Sequence, residues 1–224
     1  MKTLKTEKSL FNEKLIDACS LSSKIIFDGT YHKSGIKGAV TTAYLRESAA
    51  EKLCCIANSL PPEMMIKIFD AWRPYEVQLE LYRRYFFDIS TKAKNQNLSV
   101  RALHKLAQEF VSFPDKSKTL SYVHSSGGAV DLTIVYKNGK SVNMGTEFDD
   151  FTERSHTDFF STDTNIGKNR QFLKSIMQEQ GFTNLESEWW HYDFGDIFWS
   201  QKTGNEVIYS SIFELNSSVI KEAK

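Results

Sequence analysis

A chain of 224 residues, 41% hydrophobic and 13% aromatic, carries enough apolar side chains for a large packed core, and its length suits a single domain over 1–224. Lys plus Arg equals Asp plus Glu, 28 of each, so the basic excess of a nucleic-acid or anionic-membrane binder is missing. No stretch approaches the roughly 20 apolar residues that cross a bilayer, and the charged N-terminus lacks a signal-peptide core, which predicts a cytoplasmic protein.

In chain order, residues 44–60 place Ala49, Leu53, Ile56 and Leu60 at helical spacing, and Pro61-Pro62 stops that helix. Cys19, Cys54 and Cys55 lie in apolar, helix-like contexts, and an adjacent pair is a poor start for a disulfide framework, so buried thiols are expected. Met64 to Phe69 is a short buried strand leading into Asp70-Ala71-Trp72-Arg73-Pro74. A helix follows with Val77, Leu81 and Tyr85 on one side, and another at about 99–112 turns Val100, Leu103, Ala107 and Phe110 inward. From Ala129 to Tyr136 the chain alternates, with Val130, Leu132 and Ile134 on the core face and Ala129, Asp131 and Thr133 on the other. Asn138-Gly139 predicts a hairpin returning through 141–144, and 145–165 is a long loop of the kind that is often functional. A helix near 168–180 turns Phe172, Leu173, Ile176 and Met177 inward and stops at Gly181, and a last strand carries His191 and Asp193 on one face. Helices first, then mainly antiparallel strands, make an α+β fold.

Chemistry concentrates in Ser121-Tyr122-Val123-His124-Ser125-Ser126-Gly127-Gly128-Ala129-Val130-Asp131 and Glu188-Trp189-Trp190-His191-Tyr192. His124, Asp131 and His191 can hold a Zn²⁺ ion with its fourth position open, and Glu188 beside them can take a proton from water. Glu188 lies an odd number of residues before His191, so it must start the strand irregularly or sit at a bulge to reach the same cleft. A lone His in a turn is usually solvated, and a lone strand Asp is usually surface, so only the combination carries weight. Arg73, restrained by Pro74, can stabilise an oxyanion or hold a carboxylate with Asp70 orienting it; the plainer reading is a structural Asp70–Arg73 pair. Among the other histidines, His104 is expected on a helix surface, His32 has no visible partner, and His156 suits a structural loop role.

With Asp70-Ala71-Trp72-Arg73-Pro74, His124-x-x-Gly127-x-Ala129-x-Asp131 and Glu188-Trp189-Trp190-His191 in this order, the chain resembles the zinc D-alanyl-D-alanine dipeptidases of the VanX type, which are related to zinc DD-carboxypeptidases. Met144-Gly145-Thr146-Glu147-Phe148-Asp149 with Glu153-Arg154-Ser155-His156 adds to the likeness, which runs from about residue 65 to 195. The resemblance implies a central antiparallel sheet flanked by helices, with zinc in a cleft on the sheet. It implies one Zn²⁺ bound by His124, Asp131 and His191, Glu188 as general base, Arg73 as transition-state stabiliser, and Asp149 as the carboxylate for the free ammonium of a dipeptide. Tyr122 stands where the family usually has a substrate-contacting Ser, and the family's N-terminal contacts find only a vague match around Ile26-Phe27-Asp28-Gly29. The competing readings are a DD-carboxypeptidase or other peptidoglycan peptidase, and a non-catalytic zinc-binding protein of the same fold.

Overall fold

In the computed structural model, which describes residues 13–221, the alternating segment forms the central strand β5 (Ala129–Tyr136) of a five-stranded sheet. Strands β2 (Ile25–Phe27), β4 (Met64–Asp70), β6 (Thr183–Asn184) and β7 (His191–Asp193) complete it in the order β2-β4-β5-β7-β6. All pairings are antiparallel except β2 with β4, so the expected antiparallel sheet carries one parallel edge strand. The α+β class stands.

The expected helix at 44–60 begins later, because Tyr44–Arg46 is strand β3, paired with β1 (Leu15–Asp17). That partner lies some thirty residues upstream, where helical periodicity cannot see it. After the single turn α1 (Thr30–Lys33), helix α2 runs over Glu47–Ser59. Its Ala49, Leu53, Ile56 and Ala57 join Val130, Leu132 and Ile134 of β5 in the main core, together with Leu173 and Met177 of α5 (Asn165–Glu179). Burying an aliphatic side chain of this size stabilises the fold by roughly 1.5–3 kcal/mol. This core covers one face of the sheet and leaves the odd-numbered face of β5 for polar side chains.

Helices α3 (Tyr75–Thr91) and α4 (Val100–Ala107) pack through a separate cluster of Tyr82, Ile89, Ala107 and Val111. The predicted helix at 99–112 therefore ends at Ala107, Val100 is exposed, and Phe110–Ser112 leave the helix to line a cavity described below. His104 is half-buried rather than a plain surface residue: its ring packs on Tyr82 and Phe86, and Nδ1 hydrogen-bonds the Tyr82 hydroxyl. The return strand expected at 141–144 reduces to a bridge between Val135 and Ser141, because the chain leaves the ladder to start the 145–165 loop. Phe172 is exposed rather than inward. The cysteines are free but not buried: Cys19 is half-buried in the 3-10 turn Ala18–Leu21, and on α2, which turns Leu53, Ile56 and Ala57 to the core, Cys54 is half-buried and Cys55 exposed. Among the described residues no helix is long and apolar enough to cross a membrane.

Candidate active site

Register across the sheet assembles the centre of the site. Asp70 of β4 stands opposite Asp131 of β5, and Asp131 stands opposite His191 of β7. Neighbouring strands lie about 4.8 Å apart, so the three side chains form a row on the face away from the core. An irregularity between Ile68 and Asp70 shifts the pairing there and re-aims Asp70 toward this row. His124 joins from the 3-10 turn Val123–Ser126, which Gly127 closes with φ +74°. Beyond it, Gly128 allows close backbone contact: a Cβ there would lie 2.2 Å from the Phe194 carbonyl oxygen. Gly128→Ala is expected to cost about 1–3 kcal/mol, the usual penalty of overpacking. Urea unfolding checks this, and an unchanged midpoint would mean that the backbone yields.

The ligating atoms of His124, Asp131 and His191 lie within 4.8 Å of one another, and all three residues are buried. The His124 Nδ1–H donates to the Ala71 carbonyl at 2.7 Å, so Nε2 carries the lone pair and faces Asp131 Oδ2 at 3.3 Å. His191 is held the other way round, with Nε2 at 2.8 Å from Asp193 Oδ1 and Nδ1 at 2.8 Å from Asp131 Oδ1. Both imidazoles are thus oriented from behind by a carbonyl or carboxylate, the arrangement that fixes tautomers at zinc centres. The donor set suits a four-coordinate zinc with an open position. Burial alone would raise the Asp131 carboxyl, but the flanking imidazoles outweigh it and hold the group below the ordinary carboxylate range. Burial would lower His191, yet Asp193 and Asp131 raise it well above the usual imidazole value.

Around this centre lies a cavity of about 90 Å³ whose lining includes every predicted site residue: Arg73, His124, Asp131, Asp149, Glu188 and His191. Glu188 sits in the turn before β7, where its amide bonds the Leu185 carbonyl, so the irregular strand start is present. Its Oε2 is 4.0 Å from His191 Nδ1, and burial pushes its carboxyl up to about 8. Arg73 Nε donates to Asp70 Oδ2 at 2.8 Å, and Nη2 lies 3.4 Å from Asp131 Oδ2. Its backbone is stapled to the His124 turn: the Arg73 amide donates to the His124 carbonyl at 3.2 Å, and the Tyr122 hydroxyl donates to the Arg73 carbonyl at 2.7 Å. Tyr122 thus acts on the arginine's backbone and also lines the cavity. Asp149 accepts from the Tyr31 hydroxyl at 2.9 Å, and burial pushes its carboxyl up to about 7. With φ at +61°, it is also the non-glycine residue with a left-handed backbone among those described, a conformation Asp tolerates better than most. His32 and His156 are exposed and do not line this cavity.

Tyr31 and Gln78 were missed, and Asp193, though expected on the His191 face as a carboxylate two residues after a strand His, was given no role. Gln78, one turn into the helix after Pro74, and Tyr31, on a short helix far upstream, carry no chemical signal in the sequence.

Residues 39–208 match the Peptidase_M15 family, described as D-ala-D-ala dipeptidase. A D-alanyl-D-alanine dipeptidase of Synechocystis is 27% identical over 157 residues, covering 63% of this chain and 64% of that protein. One from Enterococcus faecium is 43% identical over 74 residues, 33% of this chain and 37% of that protein. The chain therefore spans less than two thirds of the length of these relatives. A solved structure, the Zn(II) complex of the vancomycin resistance D,D-pentapeptidase VanY, aligns over 72% of this chain and 79% of that one, with TM-score 0.45 and 13% identity. The family match runs through most of the chain and takes in both metal-site segments and the arginine, so this chain belongs to the peptidase M15 family.

Proposed function

We propose that the chain is a single zinc metallopeptidase domain that hydrolyses D-alanyl-D-alanine to two molecules of D-alanine. The observation that carries this reading is the convergence of a buried His124–Asp131–His191 donor set, Glu188, Arg73 and Asp149 on one small cavity. Zn²⁺ would be held by His124 Nε2, the Asp131 carboxylate and His191 Nδ1, and when bound it supplies Lewis-acid polarisation and acidifies water.

Glu188 receives a proton of the attacking water as its oxygen adds to the carbonyl carbon, and delivers that proton to the departing amine when the C–N bond then breaks. Burial keeps Glu188 protonated near neutrality, and beside a bound dication it would take the ionised form a base requires. Arg73, held by Asp70, offers its guanidinium to the negative charge that develops on the carbonyl oxygen. Asp149, enclosed and next to Tyr31, takes the substrate's free ammonium, which favours its ionised form and penalises a peptide that continues past that end. The free thiols of Cys19, Cys54 and Cys55 support a reducing, cytoplasmic setting.

The zinc-loaded protein is expected to cleave D-Ala-D-Ala far faster than N-acetyl-D-Ala-D-Ala or L-Ala-L-Ala. Asp149→Asn should lower kcat/KM for the free dipeptide by about 30- to 150-fold, the cost of unpairing a buried charge. Equal rates on the acetylated and free substrates would overturn the role of Asp149 and favour a carboxypeptidase. No hydrolysis of any of the three peptides would overturn the dipeptidase reading.

A further inference from the structure

We propose that Gln78 is a positioning residue that holds the Arg73 guanidinium in register with the cavity wall formed by Phe110, Val111 and Ser112; its catalytic consequence rests on the dipeptidase reading above.

Gln78 is buried in the first turn of α3 and uses both ends of its amide. Its Oε1 accepts from Arg73 Nη1 at 2.7 Å, and its Nε2 donates to the Ser112 carbonyl at 2.7 Å. The amide orientation is unambiguous, because a guanidinium can only donate and a carbonyl can only accept. Two edges of Arg73 are therefore anchored by short bonds, Nε to Asp70 at 2.8 Å and Nη1 to Gln78. Among the described residues the remaining nitrogen, Nη2, has only long contacts, 3.3 Å to the Tyr31 hydroxyl and 3.4 Å to Asp131. It is the corner left for a ligand in the cavity.

A neutral amide suits this place better than a carboxylate would. Arg73 already faces Asp70, Asp131 and Asp149, and a further anion in contact would cancel more of the charge that an oxyanion needs. The second arm extends the constraint to the wall. Phe110, Val111 and Ser112 line the cavity in a segment outside regular structure, and the Gln78 bond ties that segment to the arginine. One side chain thus bonds to both the wall and the guanidinium.

The test uses the zinc-loaded full chain as wild type, Gln78→Met, Arg73→Ala and the double variant. Gln78→Met removes both bonds at nearly constant volume. It is expected to lower kcat for D-Ala-D-Ala by up to about 100-fold, the scale of a misplaced catalytic group, with KM little changed. In the Arg73→Ala background it should cost almost nothing, since the two residues act as a unit. The second readout does not depend on turnover. In side-chain NMR the Arg73 Nη protons should be resolved in wild type and collapse in Gln78→Met through freed rotation. Gln78→Glu, which still accepts from Nη1, should keep them resolved, and Gln78→Ala, which also removes both bonds, takes the place of Gln78→Met if that variant does not fold. Unchanged Arg73 signals in Gln78→Met, collapsed signals in Gln78→Glu, or losses that multiply with Arg73→Ala would each overturn the proposal. A wild type with resolved signals and no hydrolysis would instead sink the dipeptidase reading alone.

Discussion

Glu188→Gln is expected to lower kcat for D-Ala-D-Ala by about 10³-fold or more, within the range that general base catalysis supplies, while one zinc per chain stays bound. Glutamine keeps the side-chain volume and a carbonyl oxygen, so the turn before β7 and the position of His191 should survive. What it cannot do is accept and return a proton. The carboxylate is well placed for proton transfer, since it is buried, lines the cavity, and lies 4.0 Å from a donor atom of the metal set. The other two carboxylates lining the cavity have partners of their own. Asp131 is engaged by two imidazoles, and Asp149 is bonded to Tyr31. Steady-state kinetics with zinc analysis of the same sample checks the expectation. A variant within tenfold of wild type would remove Glu188 from the proton-transfer role.

Stripping the metal is expected to abolish turnover and to leave a protein whose stability falls as pH rises from about 5.5 to 8. In the metal-free geometry burial raises Glu188 to about 8 and Asp149 to about 7, whereas both titrate near 4 in an unfolded chain. The folded state therefore binds more protons across this window, and its advantage is lost as those protons leave. His191, also raised, acts in the same direction. Asp131, held low, acts oppositely, but its contribution changes only below about pH 4, at the unfolded value, and is constant in this window. A tenfold gain in proton affinity on folding is worth about 1.4 kcal/mol, so the combined loss should reach several kcal/mol. Zinc should reverse the trend and stabilise more at pH 8 than at pH 5.5, because it competes with protons for the same ligands. Thermal melts of chelator-treated and zinc-loaded protein at both pH values measure this. A metal-free protein more stable at pH 8 would show that these carboxylates are ionised without a cation.

The local elements were legible because they depend on near neighbours. The alternation in β5 puts Val130, Leu132 and Ile134 in the core and Asp131 on the other face. The odd separation of Glu188 and His191 demanded an irregular strand start, and the turn before β7 supplies it. Misreadings arose where a distant partner decided the outcome. Tyr44–Arg46 is a strand because Leu15–Asp17 lies beside it, and His104 is drawn in by Tyr82 and Phe86.

By itself, then, the sequence marked the candidate residues for the chemistry proposed here, and the kind of element on which each lies. Residue type and short spacing are local properties, and they suffice to mark two imidazoles, a carboxylate, a spare carboxylate and a restrained arginine. Only the tertiary structure decided how they meet. The Asp70–Asp131–His191 row depends on the register of three strands, and the imidazole tautomers depend on Ala71 and Asp193 behind them. Tyr31 reaches Asp149 across 118 residues, and Gln78 links Arg73 to a wall 34 residues further on. Such contacts are set by how elements pack against one another, and no spacing along the chain records them.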